Sequence, residues 1–198
     1  MRTSSGVGTK LVVTRRLAEG RNLVRLSAFR AEVLQTMTPE TDARTAVLRH
    51  TVATVAYRGA KVLRGAPAEF ANFKLTPTTR TPAEILAHVG DLYDWALAMA
   101  QGRNDWNDSA PLPWPQEAER FFRTLAAFDG YLASNLPLGT PVESLFQGPV
   151  ADSLTHIGQL AMLRRLSGSA IRGDNYAKAQ IVVGQVGPNQ TSPRVEFG

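Results

Sequence analysis

The sequence contains no cysteine. That excludes disulfides, thiolate metal ligands and a cysteine nucleophile, and it suits a reducing cytoplasm, where the protein is expected to reside. Long apolar runs are missing too. Nothing approaches the ~20 consecutive apolar residues of a membrane-spanning helix, so no membrane partner is expected. Near the N-terminus the longest aliphatic run is Leu11-Val12-Val13, too short for the apolar region of a secretory signal. There is no glycine-rich phosphate loop, and no serine or threonine comes with both a base and a turn motif.

The body of the chain also lacks an excess of positive charge. The net +5 comes from 22 basic and 17 acidic residues, but seven of the basic and two of the acidic ones lie in residues 1–36. Fifteen of each remain, so the rest of the chain is neutral and the basic balance belongs to an extension. A nucleic-acid-binding domain more often carries its positive charge on the folded unit, and no nucleic-acid partner is expected. Residues 1–36 read as a loosely ordered basic N-terminal extension, with a weakly helical piece around Leu23 to Leu34. A flexible arm, or translated sequence upstream of a start at Met37, is the plainer account. A basic tail for an acidic partner or an Arg-rich transit peptide is the sharper one.

What the chain does have is 43% hydrophobic content over 198 residues, enough for one domain with a real core. Four amphipathic stretches carry it. Thr38-Pro39-Glu40 starts a helix that runs to about Arg64, with Ala46, Val47, Val52, Val55, Ala56, Val62 and Leu63 as its apolar set. Thr81-Pro82-Ala83-Glu84 is a capping box that starts a second, to about Gln101. A third spans about Pro115 to Ser134, and a fourth Pro149 to Gly168, with Arg164 and Arg165 in its last turn, where the helix dipole favours cations. Asn135 to Gly148 reads as a loop. The alternation of Ala177, Ala179, Ile181 and Val183 predicts an extended segment, and residues 189–198 a flexible tail. The expected fold is all-α: an antiparallel four-helix bundle over residues 37–188 with a short extended C-terminal segment.

Polar groups interrupt two of these apolar stripes. His88 sits mid-stripe on the second helix, near Asp91, Tyr93 and Asp94. On the fourth, Asp152 and His156 are four apart and share one face, and Gln159 extends that line. Burying such groups unpaired is costly, so they need a purpose. Two imidazoles and a carboxylate form a good donor set for zinc, nickel, manganese or iron, and three protein ligands leave coordination positions open, as in catalytic sites. The same residues can instead form an Asp–His hydrogen bond that steadies a core histidine. His50, on the first helix, reads as a packed or solvent-facing residue rather than a ligand.

The stretches TPAEILAHVGDLYDWAL and ADSLTHIGQLAMLRRLSG resemble the two signature regions of the DinB-like (DinB/YfiT) superfamily, over roughly Thr38 to Pro188. The segment IRGDNYAKAQIVVGQVG looks like the tail of one branch of it. The resemblance implies a four-helix bundle that holds a divalent metal with a helix-2 histidine and an H-x-x-x-H pair on helix 4. His88 and His156 match two of those positions, while Asp152 stands where the first histidine of the pair falls. It further implies metal-dependent thiol S-transferase chemistry on a small-molecule substrate with a low-molecular-weight thiol, and a homodimer, since members are often dimeric. Gln159, Asp91 and Tyr93 are the candidates for supporting groups around the metal. The other expectation is a non-catalytic metal or small-ligand binding module in which Asp152 has altered or abolished the site.

Overall fold

The computed structural model describes residues 39–134 and 136–198, with side chains from Ala43 onward. The basic extension, its weakly helical piece and the Thr38 cap therefore lie outside the described residues. Among the described residues are four long helices and one two-stranded sheet. None of the helices is long and apolar enough to cross a membrane.

Helix α1 spans Pro39–Leu63. Val52, Val55, Ala56 and Val62 are buried as expected, but Ala46 and Val47 are exposed, and Leu48, outside the expected set, takes their place in the core. Gly59 lets α1 come close to its neighbours: a Cβ there would run into the Phe121 ring and lie 3.5 Å from Ile157 Cδ1. Gly65, at φ +61°, ends the helix in the left-handed region. A 3-10 turn over Ala68–Asn72 then buries Phe70, which meets Trp114 edge-on.

Helix α2, Pro82–Ala100, begins where the capping box placed it: the Thr81 hydroxyl accepts from Glu84 N–H and the Glu84 carboxylate accepts from Thr81 N–H. Its strongly apolar composition buries it against α3 (Trp114–Ala133) and the C-terminal helix. After Gly139 the chain departs from the expected loop. A one-turn helix α4, Val142–Leu145, runs through a π-helical turn, Phe146–Val150, into α5, Ala151–Leu166. Pro149 lies inside that turn. Proline cannot donate to an α-helical ladder, and the wider turn accommodates the missing N–H. Leu145, Pro149 and Val150 are buried, so burial of an apolar edge overrides the weak turn signals of this stretch.

Arg164 lies in the last turn of α5, as expected, and does more than offset the helix dipole. It is 4% exposed and serves α1 as well as the end of its own helix: its Nε donates to the Ser169 carbonyl at 2.8 Å, while its terminal nitrogens donate to the carbonyls of Val62 (2.7 Å) and Gly65 (3.2 Å). These are terminal carbonyls with no intrahelical donor, and a planar fork reaches several of them at once.

The extended segment predicted over 177–183 is not a strand. Tyr176–Lys178 forms a 3-10 turn, and Val182 and Val183 are exposed. The pairing occurs on either side of it: β1, Gly173–Asp174, runs antiparallel to β2, Glu196–Phe197. Alternation alone cannot make a strand without a partner for its backbone groups. The partnered residues are those that the buried Asp174 carboxylate organises, accepting from the Tyr57 hydroxyl at 2.9 Å while Lys61 links Asp174 to Glu196. The closing residues, expected as a loose tail, thus include a strand and an ion pair.

Candidate metal centre

His88 is the seventh residue of α2 and faces α5, where Asp152 and His156 stack one turn apart. One ligand atom from each of the three lies within 4.8 Å of the other two. His88 Nε2 is 3.6 Å from Asp152 Oδ2, and His156 Nδ1 is 3.3 Å from Asp152 Oδ1. The two imidazoles meet at 4.7 Å between centroids, tilted by 48°. Donors on a tetrahedral zinc ion stand roughly 3.3–3.5 Å apart if each bond is about 2.0–2.1 Å. One donor atom per residue gives a set spread over as much as 4.8 Å, so the side chains must move inward to share one ion.

Burial grades across the group. The imidazole side chains of His88 and His156 are 18% and 12% exposed, while the Asp152 carboxylate is 44% exposed. Burial, reinforced by the neighbouring His156 and the Arg80 charge, pushes the His88 imidazole below its ordinary value, against the opposite influence of Asp152. His88 is therefore neutral near pH 7, and its 3.6 Å approach to Asp152 is not an ion pair. A neutral imidazole is the form that ligates metals. His156 Nδ1 lies 3.0 Å from the Asp152 main-chain oxygen; with its proton there it donates to that carbonyl and leaves Nε2 bare. Such a bond on the far nitrogen fixes a ligating ring's tautomer and orientation.

The supporting residues fall differently from expectation. Tyr93 is fully buried and its hydroxyl shares a 2.9 Å hydrogen bond with Ser153, which itself donates to the Val150 carbonyl. It pins α2 to the first turn of α5 and so sets the position of adjacent Asp152, without approaching the triad as a ligand. Asp91 is 1% exposed and turns to Arg120 and to the main chain and hydroxyl of Ser109. It anchors the loop between α2 and α3. Gln159 is exposed and has no side-chain hydrogen bond among the described residues. His50 is exposed on α1 and takes no part.

Sequence reasoning missed the aromatic wall. Trp106, on the loop that Asp91 anchors, meets the His88 ring edge-on at 5.6 Å and Trp95 at 5.7 Å. The Gly, Asn and Asp around it marked a loop but gave no sign of where its tryptophan would land. Each side of the triad opens on a cleft. His88 lines one of about 320 Å³ with Lys74, Arg80, Glu84 and Asp108. Asp152 lines another of about 390 Å³ with Leu92, Trp95, Ala151 and Thr155. The arrangement offers two imidazole nitrogens and one carboxylate, with solvent access at the carboxylate. No protein family, curated protein or solved structure matches the chain.

Proposed function

We propose that this chain is a DinB-like four-helix bundle that binds one divalent metal ion through His88, Asp152 and His156 and uses it in thiol-transfer chemistry. The observation that carries the reading is the convergence of three donors from two helices within 4.8 Å. The donor set fits zinc, nickel, manganese or iron: it has borderline nitrogen ligands, no sulfur, and one carboxylate that favours a harder ion than three imidazoles would. When bound, such an ion acts as a Lewis acid that lowers the pKa of a thiol or water beside it.

The chain's own residues prepare the place. Burial keeps His88 unprotonated. The main chain of Asp152 orients the His156 ring, and the Tyr93–Ser153 bond holds the start of α5 against α2. Trp106 covers one edge of His88 and restricts water there. The exposed side of Asp152 leaves the way open for a small molecule.

A second reading, a module without turnover in which the metal site is altered or lost, draws on the same contacts. Asp152 lies near both imidazoles and can satisfy them without an ion. Metal analysis of untagged protein separates the two. Stoichiometric metal that disappears in His88→Ala and Asp152→Ala supports the first, and thiol transfer to an electrophile above background then supports the chemistry. Protein that takes up no added metal supports the second.

A further inference from the structure

The cleft beside Asp152 has one apolar wall and no cation. Among the described residues that line it, Leu92 and Trp95 come from α2, and Gln147, Gly148, Asp152 and Thr155 from the π-turn and the start of α5. Asp152 is the only charged one, and it lies against the two imidazoles of the triad. The Trp95 indole presents no free donor, because its N–H donates to Asn104 Oδ1 at 2.8 Å. Trp106 meets that indole edge-on at 5.7 Å and holds it in place. Gly148 leaves the ring uncovered: a Cβ there would lie 3.7 Å and 3.8 Å from two atoms of its six-membered ring, so a longer side chain would cover the wall. The Thr155 hydroxyl is also occupied, donating to the Ala151 carbonyl at 3.3 Å. The exposed Gln147 amide is the polar group left at the rim.

From this we infer that the cleft beside Asp152 seats an uncharged molecule with a flat apolar body, an aromatic ring above all, which lies against Trp95 and Leu92 with its reactive end toward the metal. A planar group packs on an indole in offset or edge-to-face geometry and gains more than its buried area alone supplies. An anionic body would meet no cation here, and its charge would lose water without compensation. With a divalent ion on it, Asp152 has no net charge to offer an organic cation either. The volume of about 390 Å³ lies in the range of small-molecule sites. The inference rests on the metal-centre reading, because an ion held by Asp152 is what directs the reactive end into this cleft. It names the substrate class: an uncharged molecule with a planar apolar group.

Calorimetric titration of the zinc-loaded full chain with hydroxamates, which grip the ion and differ only in the attached body, tests this. Benzohydroxamate should bind at least about tenfold tighter than acetohydroxamate, the low end of what burying a ring against apolar surface brings. The para-carbamoyl derivative of benzohydroxamate should bind severalfold tighter than the para-carboxy derivative, which has the same shape and a negative charge. Trp95→Ala removes the wall and Gly148→Leu covers it. Each should reduce the preference for the ring severalfold, with zinc content, helicity and acetohydroxamate affinity unchanged. Equal affinity for the two parent hydroxamates in the zinc-loaded wild type overturns the inference alone, as does a ring preference that survives in Gly148→Leu. A para-carboxy derivative that binds as tightly as the para-carbamoyl one overturns the assignment of an uncharged ligand. A chain that takes up no zinc overturns the metal-centre reading and this inference with it, and that result is read from the metal content before any titration.

Discussion

Asp152 Oδ2 lies 3.6 Å from His88 Nε2, joining a carboxylate on α5 to an imidazole on α2. The other oxygen of the same carboxylate reaches His156 at 3.3 Å, so Asp152 is the hinge of the group. Asp152→Asn preserves shape and removes the charge. It should weaken metal binding by more than the about 10–100-fold typical of changes around a metal's direct ligands. Competition against a chelator measures it; unchanged affinity removes Asp152 from the site.

Arg120 and Asp91 form the buried ion pair that anchors the loop between α2 and α3, with Asp94 as a second acceptor at 3.0 Å. Arg120→Ala leaves Asp91 charged and buried without its cation. A loss of about 3–5 kcal/mol in denaturant unfolding is expected. The loop carrying Trp106 should loosen with it, and the fluorescence of the tryptophans should shift toward that of solvent-exposed indole.

Ser153→Ala removes the partner of the Tyr93 hydroxyl, which is buried and has no other among the described residues. An orphaned buried hydroxyl costs about 1–3 kcal/mol. The paired variant Ser153→Ala with Tyr93→Phe should recover part of the loss, because both polar groups are then gone. A double-mutant cycle in unfolding free energy reads the difference.

Tyr57 titrates far from its usual range. Burial and its hydrogen bond to Asp174 push the phenol up to about 12. The folded state thus holds this proton more tightly than the unfolded chain, whose tyrosines titrate near 10. The resulting stability is fully present below pH 10 and is lost as pH rises through about 12. Phenolate absorbance should show Tyr57 ionising late, and Tyr57→Phe should flatten the stability profile across that alkaline window.

The start of α2 and the triad were legible because their causes are local. Thr81-Pro82-Ala83-Glu84 carries its own cap, and a pair four apart on a helix shares a face wherever the helix packs. That His88 faces the pair follows from apolar stripes that both seek one core. The stretch from Val142 to Gly148 was not legible, because Pro149 reads as a helix start and only tertiary burial of Leu145 and Val150 carries the helix back through a π-turn. The place of Arg164 in the last turn was legible, but its bonds to α1 were not, because those carbonyls lie on another helix. Trp106 reaches His88 through an anchor of Asp91, Ser109 and Arg120 that no spacing in the sequence encodes.

The central claim is that His88, Asp152 and His156 hold one ion. Elemental analysis of untagged protein, after equilibration with zinc and nickel and removal of loosely bound metal, tests it most directly. The account predicts one ion per chain in the wild type and loss of that ion in each of His88→Ala, Asp152→Ala and His156→Ala, with helicity retained. A metal-free wild type, or an ion that survives all three substitutions together, contradicts it.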